Sequence, residues 1–167
     1  MSLTPAGQLL SEAVVLVFRA NGLLLGAGDE LAAPSGLTSA RWQVLGVIDH
    51  GAATQSEVAR IMGLTRQSVR ETATALEAEA LIEPKDNPHH RRAKLMAITE
   101  LGRRRLREVE ARQASWANRI AARLPRATLA TLVAGMQQLG DALEADAREA
   151  SHTTPAPTKR EGRKGRA

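Results

Sequence analysis

The chain contains no cysteine and no tyrosine, and only one Phe and two Trp among 167 residues. Without thiols there are no disulfides, thiolate metal sites, cysteine nucleophiles or thiol redox switches. Aromatics at 2% against 43% hydrophobic residues leave burial to Leu, Val, Ile, Met and Ala. Such side chains pack best as interlocking helices, which disfavours an aromatic-rich β-sandwich. The apolar run from Ala13 to Phe18 is stopped by Arg19 and Asn21, short of the roughly 20 apolar residues of a membrane span. No Lys or Arg precedes it as in a secretory leader. The expectation is a cytoplasmic protein with no membrane partner. Also missing are a Ser, His and Asp series, a glycine-rich phosphate loop, a His-x-x-x-His pair and carboxylates paired in an apolar setting. The chain is therefore expected not to be an enzyme and to carry no cofactor and no metal; Asp49 and His50 read as a polar helix end.

What is present is charge, unevenly placed. The net charge is +5. Residues 82–107 hold eight Lys and Arg against Glu83, Asp86 and Glu100, a local +5, and residues 151–167 hold five against Glu161, a local +4. The rest of the chain must then sum to −4. A mildly acidic body with two basic patches suits a polyanion partner.

From Pro5 to Gly26 the composition is helical and apolar nearly all round, which calls for cover on most sides, most simply by a second subunit. Gly26-Ala-Gly-Asp29 and Ala33-Pro-Ser-Gly36 predict a loop, and Thr38 then caps a helix carrying Trp42, Leu45 and Ile48. Thr54-Gln-Ser-Glu57 has the spacing of a capping box. It starts a short helix that Gly63 ends, and Thr65 caps a second with Val69, Ala73, Leu76 and Ala80 on one face. Pro84, Asn87-Pro88 and two histidines break the helical pattern, and the length between turn signals predicts a β-hairpin. Thr99 caps a long helix with Leu106, Val109, Trp116, Ile120 and Leu124 in step, and Pro125 opens another with Leu129, Leu132, Met136, Leu139 and Leu143. After Ala150 the chain has no large apolar residue, so 151–167 is expected to be a disordered basic tail that adds non-specific DNA affinity.

Helix, capped helix, glycine turn, helix and hairpin in that order describe a winged helix-turn-helix. With Val69, Ala73 and Leu76 facing inward, a rotation of about 100° per residue turns Gln67, Arg70, Glu71, Thr74 and Ala78 outward. Gln can pair with adenine, Arg with guanine, and the Thr methyl with that of thymine. Thr65, Arg66 and Ser68 sit at the helix start, where free N–H groups and the positive end of the dipole suit phosphates. Glu71 either accepts from cytosine or orients Arg66 or Arg70, the second being favoured. Arg91 and Arg92 at the hairpin tip have the charge to enter a narrow minor groove.

Leu37-Thr-Ser-Ala-Arg-Trp42-Gln-Val-Leu45, Gln55-Ser-Glu-Val-Ala59, Gly63-Leu-Thr-Arg-Gln-Ser-Val69, Leu76-Glu-Ala-Glu-Ala-Leu-Ile-Glu83, Asn87-Pro-His-His-Arg-Arg-Ala-Lys94 and Ile98-Thr-Glu-Leu-Gly102, in that spacing, resemble the MarR family of transcriptional regulators. The match is in register from about Leu37 to Leu106, and the flanking helices fall where that family keeps its dimerisation domain. The resemblance implies a mainly α fold with a small β-wing: a winged helix-turn-helix DNA-binding lobe, about 37–99, on a helical dimerisation domain of about 1–26 and 100–150. These make one MarR-like domain spanning 1–150. It implies a homodimer on double-stranded DNA that reads a pseudo-palindromic operator, acts as a repressor and is released by a small effector. Such effectors bind between the dimerisation and DNA-binding parts, here the first helix, the Trp42 helix and the start of the Thr99 helix. With no thiol to oxidise, a small apolar or aromatic acid is the expected effector class; its ligand residues are not identified. By resemblance Arg92 matches the wing arginine. Three departures stand out: His90 where members commonly have Asp, Pro84 where a basic residue is usual, and Ala80 where Gly is frequent. Either Asp86 substitutes for the missing wing carboxylate or the wing is looser, and the other two are expected to shift local strand geometry. The contrasting reading is a helical dimeric interaction module whose basic patches are merely solvated.

Overall fold

The computed structural model describes residues 2–88, 90 and 92–153. It consists of α1 (Pro5–Ala32), a 3-10 turn (Ala33–Ser35), α2 (Ser39–Asp49), α3 (Gln55–Met62), α4 (Arg66–Ala78), β1 (Ile82–Lys85), β2 (Leu95–Ile98), α5 (Glu100–Ala121) and α6 (Arg126–Thr153). Two compact units divide the chain, Met1–Ala117 and Asn118–Ala167.

The helix starts are set by side chains that accept from otherwise unpaired N–H groups. Thr38, Thr54 and Thr65 accept from Arg41, Glu57 and Ser68, and the Glu57 carboxylate returns to the Thr54 N–H at 2.7 Å to complete the capping box. At the head of α5 the Thr99 hydroxyl accepts from Gly102 N–H at 3.0 Å. Each of these caps is worth about 1 kcal/mol.

Gly26-Ala-Gly-Asp29 is not a loop: α1 continues through it to Ala32. Gly28 is buried against α2, where a Cβ would lie 2.5 Å from the Ser39 hydroxyl. Asp29 accepts from the Ser39 N–H at 2.7 Å. The glycine thus serves a helix contact, and Asp29 adds a second cap to α2. Likewise the expected tail does not begin at 151, since α6 runs to Thr153; the remainder of that tail lies outside the described residues. By length and composition Pro5–Ser35 is apolar enough to cross a membrane, so Arg19 does not disqualify it on those grounds.

The core of the first unit gathers Val44, Leu45 and Ile48 of α2, Val58 of α3, Val69, Ala73 and Leu76 of α4, Met96 and Ile98 of β2, and Leu106 and Val109 of α5. β1 and β2 pair antiparallel, Ile82 opposite Ile98 and Pro84 opposite Met96. On its other edge Met96 exchanges both backbone bonds with Ala53. Met96 therefore asks nothing of Pro84, whose missing N–H faces away from the ladder. Pro84 leaves the register of the two strands unbroken. Met96, Ala97 and Ile98 are all buried, which is why β2 shows no period of two.

α4 does not run to Ala80. It ends at Ala78, and Ala80 takes a φ of +55°, alone among described non-glycine residues in the left-handed region. There the chain turns into β1, and α5 comes close: a Cβ on Gly102 would lie 2.2 Å from the Leu81 carbonyl oxygen. Opposite effects follow. Ala80→Gly should stabilise the fold by about 0.5–1 kcal/mol, since relief of left-handed strain exceeds the added chain entropy. Gly102→Ala should destabilise it by about 1–3 kcal/mol through overpacking against backbone. Urea unfolding at one protomer concentration reads both, and equal shifts of the same sign would contradict this geometry.

Candidate nucleic-acid interface

α3 and α4 meet across Gly63, which adopts a left-handed conformation and lets the Leu64 N–H close onto the Ala59 carbonyl at 2.9 Å. The apolar face of α4, Val69, Ala73 and Leu76, is completely buried, so its opposite face must point away from the core. Arg66, Gln67, Ser68, Arg70, Glu71, Thr74 and Ala78 are all exposed, and Thr65 is exposed at the cap. The structure brings the α4 candidates together on one helix and its first turn.

Their local partners differ. The Thr65 oxygen accepts from Ser68 N–H at 3.1 Å, leaving its own O–H free to donate. Thr74 donates to the Arg70 carbonyl at 2.9 Å, which turns its hydroxyl back onto the helix. Among the described residues Arg66 and Arg70 are in no ion pair, whereas Arg41 is held by Glu79 at 2.7 Å and Arg103 by Asp49 at 3.2 Å. Glu71 departs from expectation. It orients neither arginine but accepts from the Gln67 amide nitrogen at 2.8 Å.

A recess beside the start of α4 is lined by Ser56, Glu57, Arg60, Leu64 and Arg66. Arg60 is absent from the set read from the sequence, although its position one turn before Gly63 places it beside Arg66 across the turn. Glu57 keeps its carboxyl below the ordinary carboxylate range because the Thr54 backbone N–H and hydroxyl both donate to it.

At the wing, Arg92 is exposed, and Arg91 lies outside the described residues. His90 stands where a tethering Asp was expected; its N–H donates to the Asn87 carbonyl at 3.2 Å and its carbonyl accepts from Ala93. Asp86 does not tie down Arg92. It pairs with Lys94 across the base of the wing, and that hydrogen bond and charge hold its carboxyl below the usual value. No group of three or more His, Asp or Glu among the described residues could hold a metal ion.

Within the first unit a cavity of about 360 Å³ opens between α1, α2 and α5, lined by Leu24, Leu25, Leu31, Trp42 and Trp116 with Asn21, Ser39, Gln43 and Gln113 as polar groups. α5 contributes its middle to this space, and no ionisable side chain lines it.

A family model described as the MarR family matches residues 35–93. An uncharacterized protein of Mycobacterium tuberculosis is 36% identical over 137 residues, which cover 82% of this chain and 96% of that protein. Among solved structures, a MarR-family transcriptional regulator from Rhodococcus sp. RHA1 is 26% identical with a TM-score of 0.70, covering 83% of this chain and 96% of that one. CouR from Rhodococcus jostii RHA1, bound to p-coumaroyl-CoA, is 29% identical with a TM-score of 0.67, covering 74% of this chain and 88% of its own. The repressor CouR on a 23-mer DNA duplex shares the fold at 24% identity and a TM-score of 0.70, covering 83% of this chain and 99% of its own.

The wing pair has a pH signature. A depressed carboxyl contributes order that is present above its ordinary value and lost as pH falls through the lowered one. Lys94→Met should therefore move the Asp86 midpoint up towards the ordinary carboxylate range in a carboxyl-detected NMR titration. A midpoint that stays put would mean that Lys94 is not its partner in solution.

Proposed function

The chain belongs to the MarR family, whose members are transcriptional regulators rather than enzymes, and from that premise we propose that it is a cytoplasmic repressor that binds a pseudo-palindromic operator as a homodimer. The observation that carries this reading is the α4 face: two unpaired arginines, a glutamine and a threonine, all exposed on a helix whose other side is locked into the core. α4 enters the major groove. Gln67 and Arg70 read base edges, while Thr65, Arg66 and Ser68 bind phosphate, helped by the free N–H groups at the helix start. Arg60 adds a phosphate contact from α3, and Arg92 with Arg91 enters the flanking minor groove.

The homodimer is supported by what α1 leaves uncovered. Leu9, Val15, Phe18 and Leu23 are each more than 60% exposed. An apolar surface of that extent marks an interaction site, and a second copy of a DNA-binding chain is the cover that supplies two-fold symmetry. Within the second unit Leu132, Val133, Met136 and Leu143 are exposed in the same manner. Two recognition helices about 34–36 Å apart then match successive major grooves.

The cavity between α1, α2 and α5 is the proposed effector site. Its apolar and amide lining suits an aromatic or apolar ligand, but it offers no cation to a free carboxylate. The expected acid is thus narrowed to one whose charge is masked or stays outside. CouR's ligand, p-coumaroyl-CoA, is an aromatic acid carried as a thioester. Release follows if the ligand favours one spacing of the two lobes over the other.

Selection of bound sequences from a random duplex pool, followed by titration of the winning site at two salt concentrations, tests the main reading. A two-fold-symmetric site is expected. Arg70→Ala should weaken it by about 1–3 kcal/mol with relaxed preference at one base pair, and Arg92→Ala should lower the salt slope by about 1, both with dimerisation unchanged. No enrichment at either salt would leave the fold without this function and turn attention to a protein partner for the α1 face.

For the effector site, Trp42 and Trp116 provide the signal. Neutral aromatic esters or amides should quench their fluorescence and release DNA at lower concentration than the parent free acids. Tighter binding of the free acids would overturn the masked-charge assignment.

A further inference from the structure

Glu71 presents a difficulty on a surface meant for DNA, because a carboxylate there faces a polyanion. Its partner resolves it. The Glu71 carboxylate accepts from the Gln67 amide nitrogen at 2.8 Å, one helical turn away on the same exposed face. A carboxylate only accepts, so the Gln67 amide can meet it solely through Nε2, and the usual ambiguity between amide oxygen and nitrogen disappears. The amide nitrogen carries two hydrogens. With the hydrogen anti to Oε1 given to Glu71, the remaining one lies beside Oε1, a donor and an acceptor held together. That is the pattern complementary to adenine, whose N7 accepts and whose N6 donates in the major groove. A free Gln could turn its amide over and would lose side-chain freedom on binding; this one has already done so.

We propose that Glu71 is a specificity-determining positioning residue: it holds the Gln67 amide in one orientation, so that Gln67 reads adenine. The proposal rests on the DNA-binding reading above. Glu71 need not touch a base. Its charge also acts as a filter, since any register that brought it against phosphate would be repelled, which lowers non-specific affinity more than specific affinity.

The test is the same random-duplex selection, run with wild type, Gln67→Ala, Glu71→Ala and Glu71→Gln, with binding to a scrambled duplex measured beside it. The wild type should select adenine at one position of each half-site. Gln67→Ala and Glu71→Ala should both lose preference at that same position, by roughly five-fold or more, while Glu71→Gln, which keeps an acceptor within reach of Gln67, should retain most of it. Glu71→Ala should also bind the scrambled duplex more tightly, an outcome that loss of helix structure would not produce. If Glu71→Ala leaves the selected motif unchanged, or alters a different base from Gln67→Ala, the positioning role is overturned and Glu71 is either idle or a direct reader of its own base. If the wild type enriches no sequence, the DNA-binding reading itself has failed, a result distinct from either.

Discussion

The Leu81 carbonyl is the point on which the DNA-binding lobe turns. It accepts from the Thr99 N–H at 3.0 Å, and the Thr99 hydroxyl lies 3.1 Å from it and 2.8 Å from the Ala80 carbonyl. Gly102 lets α5 start against the same oxygen. Three elements are thereby fixed to one peptide: the end of α4, the start of β1 and the head of α5. The left-handed Ala80 is the cost of that convergence, because the chain must reverse within two residues to bring Leu81 under Thr99. Were this joint loose, α4 could roll, and a roll of one residue is about 100°, enough to swing the reading side chains out of the plane in which they face outward.

Charge follows from the same rigidity. Two arginines off the reading face are paired, Arg41 with Glu79 at the far end of α4 and Arg103 with Asp49 at the end of α2. Surface pairs of this kind contribute little stability, a fraction of a kcal/mol each. Their effect is on where the field points. With those guanidiniums paired, Arg66 and Arg70 are left open at the start of α4, where the helix dipole adds to their charge.

Much of this was legible in the residues because caps and periodicity are local. Thr38, Thr54 with Glu57, Thr65 and Thr99 each mark a helix start through a bond spanning three residues, and the inward trio Val69, Ala73 and Leu76 sets the outward one by rotation alone. What escaped depends on partners distant in sequence. A glycine that breaks a helix and one that lets a second helix approach look the same, so Gly28 read as a loop until Ser39 was seen against it. Pro84 looked disruptive because only the bridge from Met96 to Ala53 shows that its missing N–H faces outward. Spacing offers Glu71 the guanidiniums of Arg66 and Arg70, and the choice of Gln67 instead is a matter of side-chain geometry that spacing does not encode. The cavity residues Gln113 and Trp116 come from the middle of α5, a placement set by how far α1 extends beyond Gly26.

That extension bears on how a ligand could reach the DNA-binding face. The last turn of α1 is joined to α2 by Asp29 on the Ser39 N–H, and to α5 by Arg112, which donates to the Leu31 carbonyl at 2.8 Å and to the Ser35 hydroxyl, itself bonded to Glu108 at 2.8 Å. Ser35 is buried, so this polar knot exchanges little with water and keeps its geometry. The proposed effector cavity shares Leu31 and Ser39 with it. A ligand bulky enough to spread α1 from α2 or to move Trp42 would press along α2 into the Val44, Leu45 and Ile48 contacts of the core that holds α4. In a densely packed interior such a shift is not absorbed locally. Under the proposed function, the long α1 is therefore both the dimer's surface and the lever by which an occupied cavity alters the spacing of the recognition helices.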